Sequence, residues 1–164
     1  MEKSTVVTKV NRAAVLLLLL SLMTAMLTGC NISKTAITAA DFKSLAAEKG
    51  LQCEDATAQF ASYGVVEEVT LALPSDASYQ IEFYVFTDKE NAQSFFATNQ
   101  AKFEATKGNP SSNTSISGTN NAKYALTSNG KYRFVEYVDN TAVYVDTDKA
   151  NKSAIEEFVK VMGY

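Results

Sequence analysis

Helical and alternating spacings of apolar residues follow one another along the chain and predict its helices and strands. The first helical segment has an apolar stripe at Phe42, Leu45 and Ala46. Thr38 and Asp41 have the spacing of a capping box and Gly50 is a typical helix end, so a helix is predicted between them. Residues 51–64 carry weaker signals, with a short strand expected in their first three positions.

Strict alternation over residues 66–73 predicts a strand. Its apolar face carries Val69, Leu71 and Leu73. A turn follows, and the apolar run over residues 79–86 is expected to pair back as a hairpin. Thr87 and Glu90 then have capping-box spacing, which predicts a helix that extends to about Thr106.

The second half of the chain predicts a loop, three strands and a final helix. Residues 108–121 are rich in Ser, Asn, Thr and Gly, so we expect a mobile loop with a short strand near Ile116. Strands are predicted over residues 124–128, 131–138 and 141–147, with turns at Asn129 and Gly130 and at Asp139 and Asn140. A last helix is predicted from the spacing of Ile155, Phe158, Val159 and Met162, and it ends at Gly163.

This order of elements, α-β-β-α-β-β-β-α, predicts an α+β fold with an antiparallel sheet of about five strands. The three helices are expected mainly on one face of the sheet. Residues 84–91 and 144–151 are identical at six of eight positions, at an offset of 60. This repeat suggests a duplicated ββα unit related by approximate two-fold symmetry. The alternative is that both strand-to-helix junctions favour Thr and Asp caps independently.

The first 29 residues have the order of a secretory signal peptide. Lys3, Lys9 and Arg12 supply positive charge, residues 13–26 form an apolar run, and small residues follow. The run is short for a membrane span, which requires about 20 residues. We expect cleavage after residue 29; the alternative is a signal anchor that stays uncleaved.

Leu27, Thr28, Gly29 and Cys30 close this run and resemble the lipobox of bacterial lipoproteins. The resemblance implies that the sulfur of Cys30 carries a diacylglycerol and that Cys30 is the first residue of the mature chain. The precursor as a whole resembles the small, mostly uncharacterised lipoproteins of Gram-positive bacteria. That resemblance implies a cell-membrane protein anchored by lipid on the extracytoplasmic side. The residue after the cysteine, Asn31, leaves open which membrane a Gram-negative species would use.

The resemblance also implies three regions: a signal peptide over residues 1–29, a lipidated N-terminus with a short tether over residues 30–37, and a single α+β domain over residues 38–164. Removing the signal peptide takes three of the 15 basic and one of the 18 acidic residues, which leaves a net charge of about −5. We expect no nucleic-acid partner, because nucleic-acid binding depends on clustered Lys and Arg. Lipidation of Cys30 leaves Cys53 either as a small buried hydrophobe or as a thiol for intermolecular pairing.

Candidate chemistry is sparse. The chain has no histidine, which removes the commonest general base and metal ligand. It has no Gly-rich phosphate loop and no CxxC pair, and we predict neither a cofactor nor a catalytic residue. Residues 146–151 resemble a calcium loop only faintly, because the central glycine is missing; capping of the last helix explains them better, so no metal site is predicted.

Tyrosines give the strongest candidate site. The two-residue turns set Arg133 opposite Asp146 and Val135 opposite Tyr144. One face of the sheet then carries the candidate binding residues Tyr124, Tyr137 and Tyr144, and the internal repeat adds Tyr84 with Gln80 and Glu82. Tyrosine rings on an open face suit recognition, because they offer apolar area together with a hydroxyl. The alternative is that tyrosine is simply a good strand former.

These observations favour a non-catalytic lipoprotein that binds a cell-envelope protein or an extracellular ligand near the membrane. One alternative is a histidine-free envelope enzyme that uses carboxylates, which would need two close carboxylates in a pocket. The other is a self-associating structural or envelope-stress component.

Overall fold

The computed structural model describes residues 33–164, which form one antiparallel sheet of seven strands together with its helices. The strands are β1 (Gln52–Asp55), β2 (Val66–Leu73), β3 (Ile81–Phe86), β4 (Ser111–Ser117), β5 (Asn121–Ser128), β6 (Lys131–Val138) and β7 (Thr141–Asp148). Their order across the sheet is β1-β2-β3-β7-β6-β5-β4. The α+β class and the antiparallel sheet are confirmed.

Two edge strands raise the number from the expected five to seven. β1 lies where the sequence gives only a weak strand signal, and β4 extends the short strand expected near Ile116 into residues that were predicted to be a loop. All seven residues of β4 are exposed, so no apolar period marks this strand. Its conformation comes from backbone pairing with β5 along its whole length.

Four α-helices lie within residues 33–164, one more than expected. They are α1 (Ala39–Glu48), α2 (Thr57–Phe60), α3 (Lys89–Ala105) and α4 (Lys152–Met162); 3-10 turns follow at Ala61–Tyr63 and precede α4 at Lys149–Asn151. α1 begins with the predicted capping box, in which the Asp41 N–H donates to Thr38 Oγ1 at 3.1 Å. The N-cap of α3 is Asp88 rather than Thr87, because its carboxylate accepts from the Asn91 N–H at 2.8 Å.

The helices lie on both faces of the sheet, so the expectation of helices mainly on one face fails for α3. We call the face that carries Phe83, Phe134 and Val143 the α1/α4 face, because those two helices cover it. α3 covers the opposite face, which carries Tyr84 and Val135 and is called the α3 face. The central strands are apolar on both sides, so each side has to be removed from water.

The predicted hairpin registers are confirmed. Arg133 faces Asp146, Val135 faces Tyr144, and Tyr124 faces Val135 from the other side. Asn129 and Gly130 both have positive φ, 53° and 75°, which matches the tight turn expected for this dipeptide. The sheet therefore brings together the side chains that the alternation predicts on each face.

The internal repeat agrees with two-fold symmetry in its strands but not in its helices. β3 and β7 pair at the centre of the sheet, with Phe83 opposite Val143, sixty residues further along. A two-fold axis through this pair, normal to the sheet, would place α3 and α4 on the same face. They lie on opposite faces, so a duplicated ββα unit related by such an axis is not the architecture.

Residues 33–37 of the predicted tether contact the domain; we call them the N-terminal latch. The Lys34 N–H donates to Asn120 Oδ1 at 3.0 Å, and Asn120 Nδ2 donates to the Lys34 carbonyl at 2.7 Å. The Lys34 ammonium forms an ion pair with Glu136, whose side chain is fully buried. Lys123 Nζ lies 3.3 Å from the second carboxylate oxygen of Glu136. Two cations thus compensate one buried charge, and one of them belongs to the latch.

Candidate functional site

The four candidate tyrosines share the α3 face, as predicted, and Glu82 pairs with Tyr144 on it. The face is not open, however, because α3 lies across it. Tyr84, Tyr124 and Tyr137 are all less than 9% exposed, and Tyr144 is partly buried. The prediction of four tyrosines on an open surface is therefore wrong, and α3 is the physical reason.

Tyr124 and Tyr137 lie beneath α3 and bond to it. The Tyr124 hydroxyl donates to the Glu104 carboxylate, and Gln93 Nε2 donates to the Tyr137 hydroxyl at 3.2 Å. The Tyr137 ring meets Phe96 edge-on, with ring centroids 5.6 Å apart. These two tyrosines therefore fix α3 on the sheet and present no surface to a ligand.

Tyr84 and Tyr144 line a cleft of about 470 Å³ on the β2 side of α3, which we call the tyrosine cleft. One wall is α3, and the other is the segment of α2 and the following 3-10 turn. The apolar lining consists of Phe60, Tyr63, Val65, Val66, Tyr84, Phe86, Phe95 and Tyr144. The polar lining consists of Glu82, Asn91, Ser94, Thr98, Asn99 and Lys102.

Ring contacts hold the floor of the tyrosine cleft together. The Phe95 centroid lies 4.6 Å from that of Tyr84 and 6.2 Å from that of Tyr144. Phe60 meets Tyr84 edge-on at 5.4 Å from the opposite wall. Each of these rings therefore contacts another ring of the cleft, which favours one arrangement of the aromatic surface.

A carboxylate lies at the floor of the tyrosine cleft. Glu82 accepts from Gln80 Nε2 at 2.9 Å and from the Tyr84 hydroxyl. Burial and then the Glu82 charge raise the pKa of Tyr84 far above its ordinary value. Burial first, and then Asp146 and Glu82, raise the pKa of Tyr144 to about 12. Both hydroxyls are therefore neutral at physiological pH, and that of Tyr84 donates to the Glu82 carboxylate.

Lys102 and Asn99 bring further polar groups from α3. Asn99 is buried, and its Nδ2 donates to the Phe95 carbonyl at 2.9 Å. Lys102 is exposed at the margin of the tyrosine cleft. The described lining thus combines aromatic walls, one carboxylate, one ammonium and two amides. This combination can bind an amphipathic molecule by ring contact and hydrogen bonds.

The remaining predicted positions lie away from the tyrosine cleft or outside the described residues. Cys53 is exposed on β1, so it is not the buried hydrophobe that one interpretation predicted. Cys30 and the signal segment lie outside residues 33–164. Within that range, no helix is long and apolar enough to cross a membrane, and no three His, Cys, Asp or Glu side chains cluster as metal ligands would.

Sequence reasoning missed one wall of the tyrosine cleft. Residues 57–63 show no helical period, so Phe60 and Tyr63 gave no signal. Phe95 was identifiable only as an apolar residue of a predicted helix. Comparisons with protein-family models, with curated proteins and with solved structures returned no match.

Proposed function

We propose that this chain is an extracytoplasmic lipoprotein, anchored to the cell membrane through lipid on Cys30, whose domain binds a small amphipathic ligand without chemical conversion. The observation that carries the proposal is the tyrosine cleft. Its volume lies within the range of sites for small molecules, roughly 300 to 1,000 Å³. A single cleft with aromatic walls and few polar groups is the usual form of such a site.

The chemistry of the lining favours binding over catalysis. Among the described residues that line the cleft, Glu82 is the one carboxylate, and two side chains already donate to it. Glycoside hydrolysis, the usual reaction of paired carboxylates, needs two of them in one site. A carboxylate held by donors instead attracts a ligand group that carries a hydrogen-bond donor, above all an ammonium.

Three probes with one ring and different charges test the cleft: 2-phenylethylamine, 2-phenylethanol and phenylacetate. We expect chemical-shift titration of the purified protein to rank their affinities in that order, because the Glu82 carboxylate favours the cation. Tyr144→Ser should weaken the amine at least about tenfold. Tyr79→Ser is the matched control, because Tyr79 is also partly buried but packs on the α1/α4 face.

Three further results decide the interpretation. Tyr144→Phe should keep most of the affinity, since the ring remains. Unchanged binding in Tyr144→Ser, or binding lost equally in Tyr79→Ser, would contradict the cleft as the site. Absence of binding by all three probes would remove the support for a small-molecule function.

The lipid anchor is tested separately by mass spectrometry of the N-terminal peptide from membranes of the native cells. We expect a peptide that begins at Cys30 and carries the mass of a diacylglycerol and its acyl chains. Cys30→Ala should release the protein from the membrane fraction. An unmodified Cys30 thiol would refute the anchor.

A further inference from the structure

The two edges of the sheet differ in length and charge. β1 has four residues, two of them acidic, Glu54 and Asp55. β4 has seven residues, all exposed, and none is charged or proline. Proteins commonly protect an edge strand by shortening it, charging it or covering it. β1 follows this practice and β4 does not.

The ladder between β4 and β5 shows which backbone groups of β4 are free to bond outward. The Gly118 N–H donates to the Asn121 carbonyl at 2.8 Å, and the next pair is Ser117 with Ala122. Hydrogen-bonded and non-bonded pairs alternate in an antiparallel ladder. The outward N–H and C=O groups therefore belong to Ser111, Asn113, Ser115 and Ser117.

We propose that β4 is a self-association edge, where it pairs antiparallel with β4 of a second copy around a two-fold axis at Thr114. In this register Ser111 faces Ser117 of the second copy, and Asn113 faces its Ser115. Each outward group finds a partner, which gives about eight hydrogen bonds. The two seven-stranded sheets join into one.

The side chains suit this register. Thr114 faces Thr114 of the second copy, and cross-strand Thr pairs stabilise antiparallel sheets. Ser112 faces Ile116, which is 42% exposed in the single chain and gains cover. No charged side chain meets another along the strand. Two copies of an acidic chain repel each other. The uncharged β4 adds nothing to that repulsion where the copies meet.

Pairing of β4 with β4 of a second copy fits this edge better than pairing of β4 with β1 of another molecule. Pairing between unlike edges repeats without closing and produces filaments, whereas pairing of β4 with itself closes as a dimer. The two-fold axis is normal to the sheet, so each face stays on its own side. Both N-terminal latches, which pack on the α1/α4 face, therefore leave the dimer from one side. That geometry is compatible with two anchors in one membrane.

Cross-linking of the full-length lipoprotein in its native membranes tests the register. In a Cys53→Ser background, Thr114→Cys should form a disulfide-linked dimer on mild oxidation, because the two Cβ atoms at the axis lie about 5 Å apart. Ser62→Cys, exposed on the 3-10 turn, is the matched control and should stay uncross-linked. A chain that carries both Ser112→Cys and Ile116→Cys should cross-link to a second copy, because these positions face each other across the axis. A chain that carries either substitution alone should not.

A mass measurement of the protein in detergent provides the second test. Thr114→Lys places two like charges face to face and should weaken dimerisation at least about tenfold, whereas Thr114→Ser should leave it unchanged. A monomer at all concentrations, or cross-linking of Ser62→Cys equal to that of Thr114→Cys, would overturn the proposal. Cross-linking of Thr114→Cys to a different protein would also overturn it, in favour of strand addition by another partner.

Discussion

The two faces of the sheet are both apolar, yet they are covered in different ways. On the α1/α4 face, two helices and Tyr164 cover most of a core in which Phe42 stacks on Phe83 at 4.8 Å and meets Phe158 edge-on. A smaller cleft of about 350 Å³ remains on this face between α4 and β4. On the α3 face, one helix crosses the sheet, and the short α2 segment covers what remains. The tyrosine cleft is the gap between these two elements.

This partial cover accounts for the two positions of tyrosine on the α3 face. A ring beneath a single helix still needs a partner for its hydroxyl, and Glu104 and Gln93 of α3 provide partners for Tyr124 and Tyr137. Beside the helix, the partly exposed Tyr144 and the nearly buried Tyr84 line the cleft. The aromatic residues of the α3 face are therefore divided between those that hold α3 and those that line the proposed site.

The largest expected effect contrasts one phenylalanine from each side. Phe42→Ala should lower the free energy of unfolding by about 3–5 kcal/mol, because the ring is fully buried between Phe83 and Phe158. Phe95→Ala should cost only about 1–2 kcal/mol, because Phe95 is partly exposed in the cleft. Urea unfolding followed by circular dichroism measures both. Equal losses of unfolding free energy in the two variants would show that the two faces exclude water equally well.

A smaller effect is expected for the N-terminal latch. Lys34→Met removes one of the two cations beside the buried Glu136 and should destabilise the domain by about 1–3 kcal/mol. Lys131→Met is the matched control, because its ion pair with Asp148 is exposed and should be worth less than about 1 kcal/mol. The same unfolding measurement applies. A loss in Lys34→Met no greater than in the control would mean that the ion pair with Glu136 contributes no more than an exposed pair.

The smallest effect concerns alkaline pH and one tyrosine on each face. Burial raises the pKa of both Tyr144 and Tyr164 to about 12. Their stabilising contribution is complete below pH 10, near the unfolded pKa, and is lost as pH rises from 10 to 12, since the unfolded chain then releases protons that the folded chain retains.

Unfolding at pH 8, 10 and 11 checks this pH dependence, with tyrosinate absorbance as a second readout. Tyr144→Phe and Tyr164→Phe should each reduce the decline in unfolding free energy between pH 10 and 11. A decline of the same slope in both variants would contradict the assignment to these groups.

The elements with a strong apolar period could be predicted from the sequence, together with their register. β6 spans the predicted residues, and the pairing of Arg133 with Asp146 follows from the two-residue turn. Grouping of the four tyrosines on one face also follows, because side chains alternate along a strand.

The elements that contact little apolar surface could not be predicted. β4 has no buried residue, so the sequence indicated only a short strand near Ile116 and not the full length of β4. The four-residue α2 has no buried residue either, and its position beside β2 depends on the tertiary fold. The face of the sheet that α3 covers could not be predicted either, because both faces of the central strands are apolar. The tyrosine cleft depends on these two placements.

The N-terminal latch sets how far the domain can move from its proposed anchor. Lys34 is held against Asn120 and Glu136, so only three residues separate Cys30 from the fixed part of the chain. An extended chain covers at most about 3.5 Å per residue, so the four steps from Cys30 to Lys34 span at most roughly 14 Å. If Cys30 carries the proposed lipid, the domain cannot move far from the bilayer. The tyrosine cleft would then take its ligands from the layer of solution next to the membrane.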